Sequence, residues 1–318
     1  MTVAAKPTSE RLLSESLPES LPPLTPNTVQ RAREGWEAAI DREVRQATEE
    51  AFDITQEMGL GKPPRRADGR LRRWILRSLV RLLFRVKVEN AHLLPEGPVL
   101  LVSNHLNHID PLLILGELPA SPYCYVLGDA RSLYNAPWKR TILQWAQGVI
   151  PLHRWWKEEK AVIAGAKSGR EDLAELAEKI QQDVPDGSSI EMLRQLDRSV
   201  QAVFNNGDSL LLFPEGKLGT EEGKLLPLKR GVATYALRSG VPIVLIALIG
   251  THDLYLRKTL TLRFGNAIEF PQAKRPKSRQ IQTVIEAIER RLGELLPREY
   301  CEPDELKLFR PFLNRMFW

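Results

Sequence analysis

The chain has 318 residues, of which 43% are apolar and 27% are charged, a composition that suits one large globular domain with an appended segment. The formal net charge of +5 is modest but unevenly distributed, which favours an anionic surface or ligand. The two cysteines, Cys124 and Cys301, lie far apart in the sequence, which excludes a disulfide framework or a cysteine metal cluster and fits a reducing compartment.

The first 88 residues are predicted to precede the main domain. Residues 1–26 are rich in Ser, Pro and Glu and have no apolar core segment, so we expect a disordered tail that is not a secretory signal. In residues 28–60, apolar side chains recur at helical spacing, which predicts one amphipathic helix packed on the main domain or on a partner. Residues 27–88 are therefore interpreted as a helical segment, broken near Gly61 and Pro63.

Residues 70–88 predict a second amphipathic helix, and its charges are unusual. Like charges four residues apart repel one another unless anions lie against them. The arginines at this spacing are Arg73, Arg77, Arg81 and Arg85, and the apolar stripe is Leu71, Trp74, Ile75, Leu79, Leu82, Leu83 and Val86. The stretch is shorter than the roughly 20 apolar residues that span a bilayer, so the pattern favours a helix lying on anionic headgroups. The alternative is a helix packed on the core with solvated arginines. No DNA- or RNA-binding motif accompanies the row, so we expect no nucleic acid partner.

Residues 97–102 form a short apolar run that predicts a buried strand, and a helix is predicted to follow it. Asp110 is expected at the N-cap of that helix, with Pro111 at its first position. His105 then lies at the carboxyl end of a strand, where open α/β sheets bind ligands. A carboxylate that accepts from one ring nitrogen leaves the other able to take a proton, so His105 and Asp110 are a candidate general base and its orienting partner. The alternative, in which Asp110 only caps the helix and His105 is only a polar strand end, stays open.

Residues 123–205 are predicted to contain further strands and helices. The strands are expected at residues 123–127 and 148–152, and the helices at residues 138–145 and 188–205. A helical insertion around residues 155–185 either covers a substrate groove or mediates assembly. Arg154 follows the second of these strands and is interpreted either as a structural cation or as a ligand-binding one.

A second strand with a tight turn lies at residues 210–216, which end in Pro214, Glu215 and Gly216. Four cations follow this turn: Lys217, Lys224, Lys229 and Arg230. A helix predicted at residues 231–239 presents free N–H groups beside the last two, which is a good place for a phosphate. Strands at residues 241–249 and 259–264 and a helix at residues 281–296 complete the pattern. The predicted fold is α/β, with a mixed, mostly parallel central sheet flanked by helices and an N-terminal helical segment.

Four ordered blocks of this sequence resemble the glycerolipid acyltransferase family, typified by 1-acylglycerol-3-phosphate O-acyltransferase. The first block is residues 104–110, with the His-x4-Asp spacing of His105 and Asp110. The other three are residues 148–154, 213–216 and 241–244, which read GVIPLHR, FPEG and VPIV. The resemblance covers about residues 85 to 270.

This resemblance implies an enzyme that joins an acyl chain from acyl-CoA or acyl-carrier protein to a glycerol-type hydroxyl without a covalent enzyme intermediate. It implies that His105 is the general base and Asp110 its orienting partner, and it associates Arg154, Glu215 and Gly216 with acceptor binding. Residues 89–318 would be the acyltransferase domain. No metal and no cofactor are expected beyond the thioester co-substrate. The expected location is cytoplasmic, with the protein peripheral on the inner face of the membrane.

The sequence departs from the family pattern after the Phe-Pro-Glu-Gly block. The family usually has Thr-Arg-Ser there, with an Arg that pairs with the acceptor phosphate, whereas this chain has Lys217, Leu218 and Gly219. Lys217 offers a point charge in place of the bidentate fork of an Arg, and Lys224, Lys229 or Arg230 are further candidates for the phosphate. Three functions stay open: acyl transfer to a lysophosphatidate, the same transfer to another lysolipid, a glycolipid or a pigment alcohol, and lipid binding without catalysis.

Overall fold

A computed structural model describes residues 21–316, and a single seven-stranded sheet lies at its centre. The strands stand in the order β1-β7-β6-β2-β5-β3-β4. Their bounds are β1 (Arg85–Glu89), β2 (Leu100–Ser103), β3 (Cys124–Asp129), β4 (Val149–Leu152), β5 (Ser209–Leu212), β6 (Ile243–Ile249) and β7 (Thr259–Phe264). Most of the predicted disordered tail, residues 1–20, lies outside the described residues.

The polarity of the strands gathers several loops at one edge of the sheet. Strands β2, β3, β4, β5 and β6 run parallel to one another, while β7 pairs antiparallel with β6 and carries β1 beside it. The carboxyl ends of five strands therefore meet at the same edge. The mixed, mostly parallel α/β sheet predicted from the sequence is confirmed.

Apolar side chains cover both faces of the sheet, as expected for central parallel strands that read as continuous apolar runs. Successive residues of a strand point to opposite faces, so Leu100 and Val102 enter one core while Leu101 enters the other. The helices are α1 (Pro26–Ile40), α2 (Arg42–Gly59), α3 (Gly69–Leu83), α4 (Asp110–Glu117), α5 (Ala130–Tyr134), α6 (Pro137–Ala146), α7 (Lys157–Lys167), α8 (Ala174–Asp183), α9 (Ile190–Asn205), α10 (Gly231–Ser239), α11 (Ser278–Leu295) and α12 (Arg310–Arg315). Helices α2, α9, α10 and α11 cover the first face, and α3 and α4 cover the second.

The N-terminal helices differ from their predicted bounds. The single helix predicted over residues 28–60 is wrong, because Asp41 is extended and its carboxylate accepts from the N–H groups of Glu43 and Val44, which starts a new helix. The helix predicted over residues 70–88 ends at Leu83. Phe84 is extended and buried, and the strand that follows it adds residues 85–88 to the sheet. The α/β unit thus begins at β1, before residue 89.

The insertion predicted around residues 155–185 forms two helices, α7 and α8, where a single one was expected. Gly169 has a φ of 95°, a left-handed conformation that glycine adopts without strain and that ends the first helix. Both helices pack on α1, where Ala32, Val162 and Ile180 share an apolar cluster. The helical segment before the sheet is therefore joined to the domain through this insertion.

Among residues 21–316, we find no helix that combines the length and the apolar character needed to cross a bilayer.

Candidate active site

His105 and Asp110 meet in the loop between β2 and α4. The His105 Nδ1 atom lies 2.9 Å from Asp110 Oδ2, and the N–H groups of Leu106 and Asn107 donate to the same oxygen at 2.7 and 2.9 Å. Asp110 is fully buried. The prediction that it occupies the N-cap is wrong: Ile109 is at that position, and Asp110 is the first residue of the helix. Its carboxylate turns back to the loop because three donors there hold it.

Contacts with Asp110 and Phe213 orient the His105 imidazole. Its ring stacks on Phe213, with the centroids 4.1 Å apart, and the side chain is 17% exposed. Because a carboxylate only accepts, Nδ1 carries the proton in the pair with Asp110, and Nε2 keeps its lone pair. Nε2 is thus the ring atom that can accept a proton from a substrate hydroxyl.

Glu215 joins the His105 loop to the turn after β5. It is buried, and its two oxygens accept from the N–H groups of His105 at 3.0 Å and Leu226 at 2.8 Å. Burial raises the pKa of the Glu215 carboxyl, and these two N–H groups oppose that rise. A further bond at 2.6 Å runs from the Gly219 N–H to the His105 carbonyl. The contacts of Glu215 are therefore those of a residue that shapes the site, and its predicted contact with an acceptor stays a prediction.

Arg154 reaches the same turn from the end of β4. One of its Nη atoms donates to the Gly216 carbonyl, and its Nε lies 3.3 Å from Asp129. Burial acts to raise the pKa of Asp129, but the charges of Arg154 and Arg131 outweigh it, so the pKa is lowered. Gly216 has a φ of 67°, and a Cβ there would lie 3.5 Å from the Lys229 side chain. Arg154, Gly216 and Lys229 are thus brought together, with Lys217 next in the chain.

Two of the predicted phosphate-binding cations lie elsewhere. Lys224 pairs with Glu221 at 2.7 Å on an exposed loop that borders a different cavity. Arg230 donates to the Ser278 hydroxyl at 2.6 Å, at the start of α11. The structure therefore does not place either cation with Arg154, because each side chain has a partner outside the turn.

Some residues near the site were missed by sequence reasoning. Arg131 pairs with Glu159 and donates to the carbonyl oxygens of Gly35 and Arg154, which ties α1 and α7 to the end of β4.

Burial, followed by the nearby charges of His105 and Lys139, lowers the pKa of His108 to about 4, so this ring is neutral at physiological pH. Asp129 could have been suspected as a polar residue at a strand end, but the buried ion pair leaves no mark in the sequence.

The chain is similar in sequence to known acyltransferases. The sequence model of the acyltransferase family matches residues 85–249. A 1-acyl-sn-glycerol-3-phosphate acyltransferase of Limnanthes douglasii is 35% identical over 71 residues, 22% of this chain and 25% of that protein. One from Cocos nucifera is 37% identical over 76 residues, 24% of this chain and 23% of that protein. The match thus spans about a quarter of these relatives. A structure of the 1-acyl-sn-glycerophosphate acyltransferase PlsC from Thermotoga maritima aligns with 16% identity and a TM-score of 0.39, over 84% of this chain and 89% of that chain.

Proposed function

The chain belongs to the acyltransferase family, whose sequence model matches residues 85–249, and on that basis we propose that it is an O-acyltransferase acting on a lysophospholipid. The donor is an acyl thioester, either acyl-CoA or acyl-carrier protein, and the preferred acceptor is 1-acylglycerol-3-phosphate. The observation that supports this proposal most directly is the His105–Asp110 pair at the carboxyl edge of the sheet.

In the proposed reaction, His105 Nε2 removes the proton from the acceptor hydroxyl, and the oxygen attacks the thioester carbonyl carbon. The tetrahedral intermediate then expels the thiolate, and the imidazolium returns the proton to that sulfur. The buried charge of Asp110 stabilises the imidazolium in between. The chain contains no Gly-x-Ser-x-Gly motif, so a serine acyl-enzyme is not part of this proposal.

The developing oxyanion needs donors that are not already used. In related chemistry, one such donor contributes about 3 to 4 kcal/mol. The N–H groups of His105, Leu106 and Asn107 already donate to Glu215 or Asp110. These backbone amides therefore hold the loop that carries His105, and other groups must stabilise the oxyanion.

We propose that the acceptor headgroup lies against the turn formed by Arg154, Gly216, Lys217 and Lys229. The guanidinium of Arg154 is fixed by Asp129 and Gly216, so a phosphate there meets a positioned fork of donors. The second candidate, an acceptor without this phosphate, is favoured by Leu218 at the position where the family usually has Arg.

Replacing Lys217 by alanine is expected to raise the KM for 1-acylglycerol-3-phosphate by about five- to tenfold, the loss expected for one partly exposed charge contact. The KM for a neutral acceptor should change little. Steady-state kinetics with both acceptors at saturating donor tests this, and Lys224→Ala is the matched control because its ammonium pairs with Glu221. Equal changes for the two acceptors would show that Lys217 does not contact a phosphate.

The experiment that tests the proposed function is an assay of free thiol released from acyl-CoA. Purified full-length protein is incubated with 1-acylglycerol-3-phosphate, other lysolipids, a glycolipid or a pigment alcohol. Release that depends on 1-acylglycerol-3-phosphate and yields phosphatidate supports the first candidate. Release with only another acceptor supports the second candidate. A chain that binds lipid but releases no thiol with any acceptor or thioester would not be an acyltransferase.

We also propose that the chain contacts a membrane surface through α3. The apolar stripe of this helix faces outward, which is the opposite of a helix packed by its apolar face. Its exposed members are Leu71, Trp74, Ile75, Leu79 and Leu82. Trp74 and Leu82 are 66% and 71% exposed, and an apolar face of this kind suits the headgroup boundary of a bilayer.

The arginine row of this helix, predicted from the sequence to lie against anionic headgroups, also has partners within the chain. Arg81 and Arg77 approach Glu117 at 2.6 and 3.5 Å, and Arg73 donates to the Leu118 carbonyl at 2.6 Å. These three arginines fix α3 to the end of α4, and the apolar stripe is left to contact the membrane.

Replacing Trp74 and Leu82 together by alanine is expected to weaken binding to phospholipid vesicles by about tenfold or more, since each lost side chain removes roughly 1 to 2 kcal/mol of burial. Sedimentation with anionic and with zwitterionic vesicles measures this change. The double change of Ile190 and Leu193 to alanine, at exposed apolar residues of α9, is the control. Wild-type binding by the α3 variant would exclude this helix as the membrane contact.

A further inference from the structure

An open cavity of about 910 Å³ lies beside the His105 loop, and it extends beyond the region matched by the family. Its walls are the loop from Thr220 to Lys224, the residues His252 and Asp253 after β6, and the C-terminal segment between Arg298 and Arg315. The volume falls in the upper part of the range that small-molecule sites occupy, about 300 to 1,000 Å³.

The cavity adjoins the candidate base on the side away from Arg154. Asn314, one of the lining residues, lies 3.4 Å from the Asn107 amide, and Gly219, the residue before the lining loop, donates to the His105 carbonyl. In the sheet, β6 lies on one side of β2, while β5, β3 and β4 lie on the other. A ligand in the cavity therefore approaches His105 from the β6 side, whereas the turn that holds Arg154 approaches from the β4 side.

Most acidic groups in the cavity are already neutralised by the chain. Asp253 accepts from Lys307 at 2.9 Å and from Arg310 at 2.7 Å. Glu302 pairs at 2.8 Å with Lys258, whose side chain is completely buried. Glu222 accepts from the His252 N–H at 2.8 Å, and burial raises the pKa of its carboxyl.

Two arginines of the cavity remain available to bind a ligand. Arg298 and Arg315 line the cavity, are exposed, and form no ion pair within residues 21–316. Two lining carboxylates also form no ion pair within residues 21–316, those of the exposed Glu299 and the half-buried Glu222. Guanidinium groups bind phosphates in a bidentate manner, so this arrangement suits an anionic ligand with more than one phosphate.

Tyr300 adds an aromatic ring to the wall of the cavity that both arginines line, and Lys258 Nζ lies 5.7 Å from the centroid of this ring. The residue is half-buried and lines the cavity, and its hydroxyl donates to Glu302 at 3.1 Å, which orients the ring. An aromatic ring beside arginines is a combination that stacks a nucleobase and binds its phosphates. The chemistry of the cavity thus suits a nucleotide.

We propose that this cavity binds the nucleotide half of an acyl-CoA donor, the adenosine that bears the phosphates, with Arg298 and Arg315 as its phosphate contacts. The proposal rests on the proposed acyl transfer and names the donor. The thioester arm then runs past Asn314 and Asn107 to His105, and the acceptor comes from the Arg154 side. The C-terminal segment, outside the matched region, would supply the donor specificity.

The test uses the full chain and two donors that share one acyl group. One is acyl-CoA, and the other is the acyl thioester of phosphopantetheine, which lacks the nucleotide. The double change Arg298→Ala with Arg315→Ala should raise the KM for acyl-CoA by at least about tenfold and leave the KM for acyl-phosphopantetheine unchanged. The double change Arg279→Ala with Arg290→Ala, at exposed arginines of α11 outside the cavity, should leave both constants unchanged.

A direct binding measurement on the wild-type chain depends neither on turnover nor on the arginine variant. Adenosine 3′,5′-bisphosphate, titrated into the wild-type chain by calorimetry, should bind, and it should compete with acyl-CoA but not with acyl-phosphopantetheine. No binding to the wild-type chain, or an equal rise of KM for both donors in the arginine variant, would overturn the proposal. A rise confined to the acceptor KM would assign the arginines to the acceptor instead. Loss of transfer from every donor with the bisphosphate still bound would refute the acyl transfer while leaving the nucleotide site in place.

Discussion

Replacing His105 by alanine is expected to reduce kcat for acyl transfer by about 10²- to 10⁴-fold, the range that a positioned general base contributes. The side chain has no role in the apolar core. Its ring stacks on Phe213 and is partly exposed, so the free energy of unfolding should fall by no more than about 1 to 2 kcal/mol. Thiol release under saturating donor and acceptor measures the first effect, and urea unfolding measures the second.

The control for this variant is His92→Ala. His92 is exposed and lies in a short turn after β1, so its loss should leave both quantities near those of the wild-type chain. Association with vesicles should be the same for all three proteins, because α3 is untouched. Transfer by the His105→Ala chain at a rate close to wild type would remove this imidazole from the proposed mechanism.

Asp110→Asn is the second change with a large expected effect. The amide can keep an oxygen in place for the N–H groups of Leu106 and Asn107, but it removes the charge that stabilises the imidazolium of His105. We expect kcat to fall by about 10²- to 10⁴-fold with the KM for both substrates nearly unchanged. The new NH₂ group is buried at the position of an oxygen that has no protein partner, so stability should also fall by about 1 to 3 kcal/mol.

Asp41→Asn is a matched control for that change. Asp41 also accepts from two backbone N–H groups at the start of a helix, but it lies at α2 and outside the site. Asparagine caps helices about as well as aspartate, so neither rate nor stability should change by more than a few tenths of a kcal/mol. A wild-type kcat for Asp110→Asn would show that Asp110 only holds the loop and does not assist the base.

The sequence predicts the fold well where one physical signal dominates. Strands β2, β5 and β6 are continuous apolar runs because both of their faces are covered, and their positions follow from the sequence. The breaks at Asp41 and Gly169 were missed because the apolar spacing continues across them, while a single side chain or a single positive φ decides where the helix ends. Periodicity cannot show an interruption that leaves the pattern of buried residues intact.

The candidate site was predicted less completely, since side-chain direction depends on distant partners. The proximity of His105 to Asp110 follows from a strand-to-helix turn, but the backbone donors that turn Asp110 away from the N-cap do not. Lys224 and Arg230 follow the same turn in sequence and point elsewhere, because Glu221 and Ser278 are their partners. Apolar spacing alone could not decide between the two interpretations of α3, since it does not say which face the protein covers.

The Glu215 carboxylate links the general base to the turn that is proposed to bind the acceptor. One oxygen of this carboxylate holds the backbone of the base, and the other holds the loop that continues from the cation-bearing turn. A substrate that displaces that turn must also displace the imidazole. Exchanging residues of the turn to broaden acceptor choice should therefore change turnover at the same time, and selectivity and rate in this protein should evolve together.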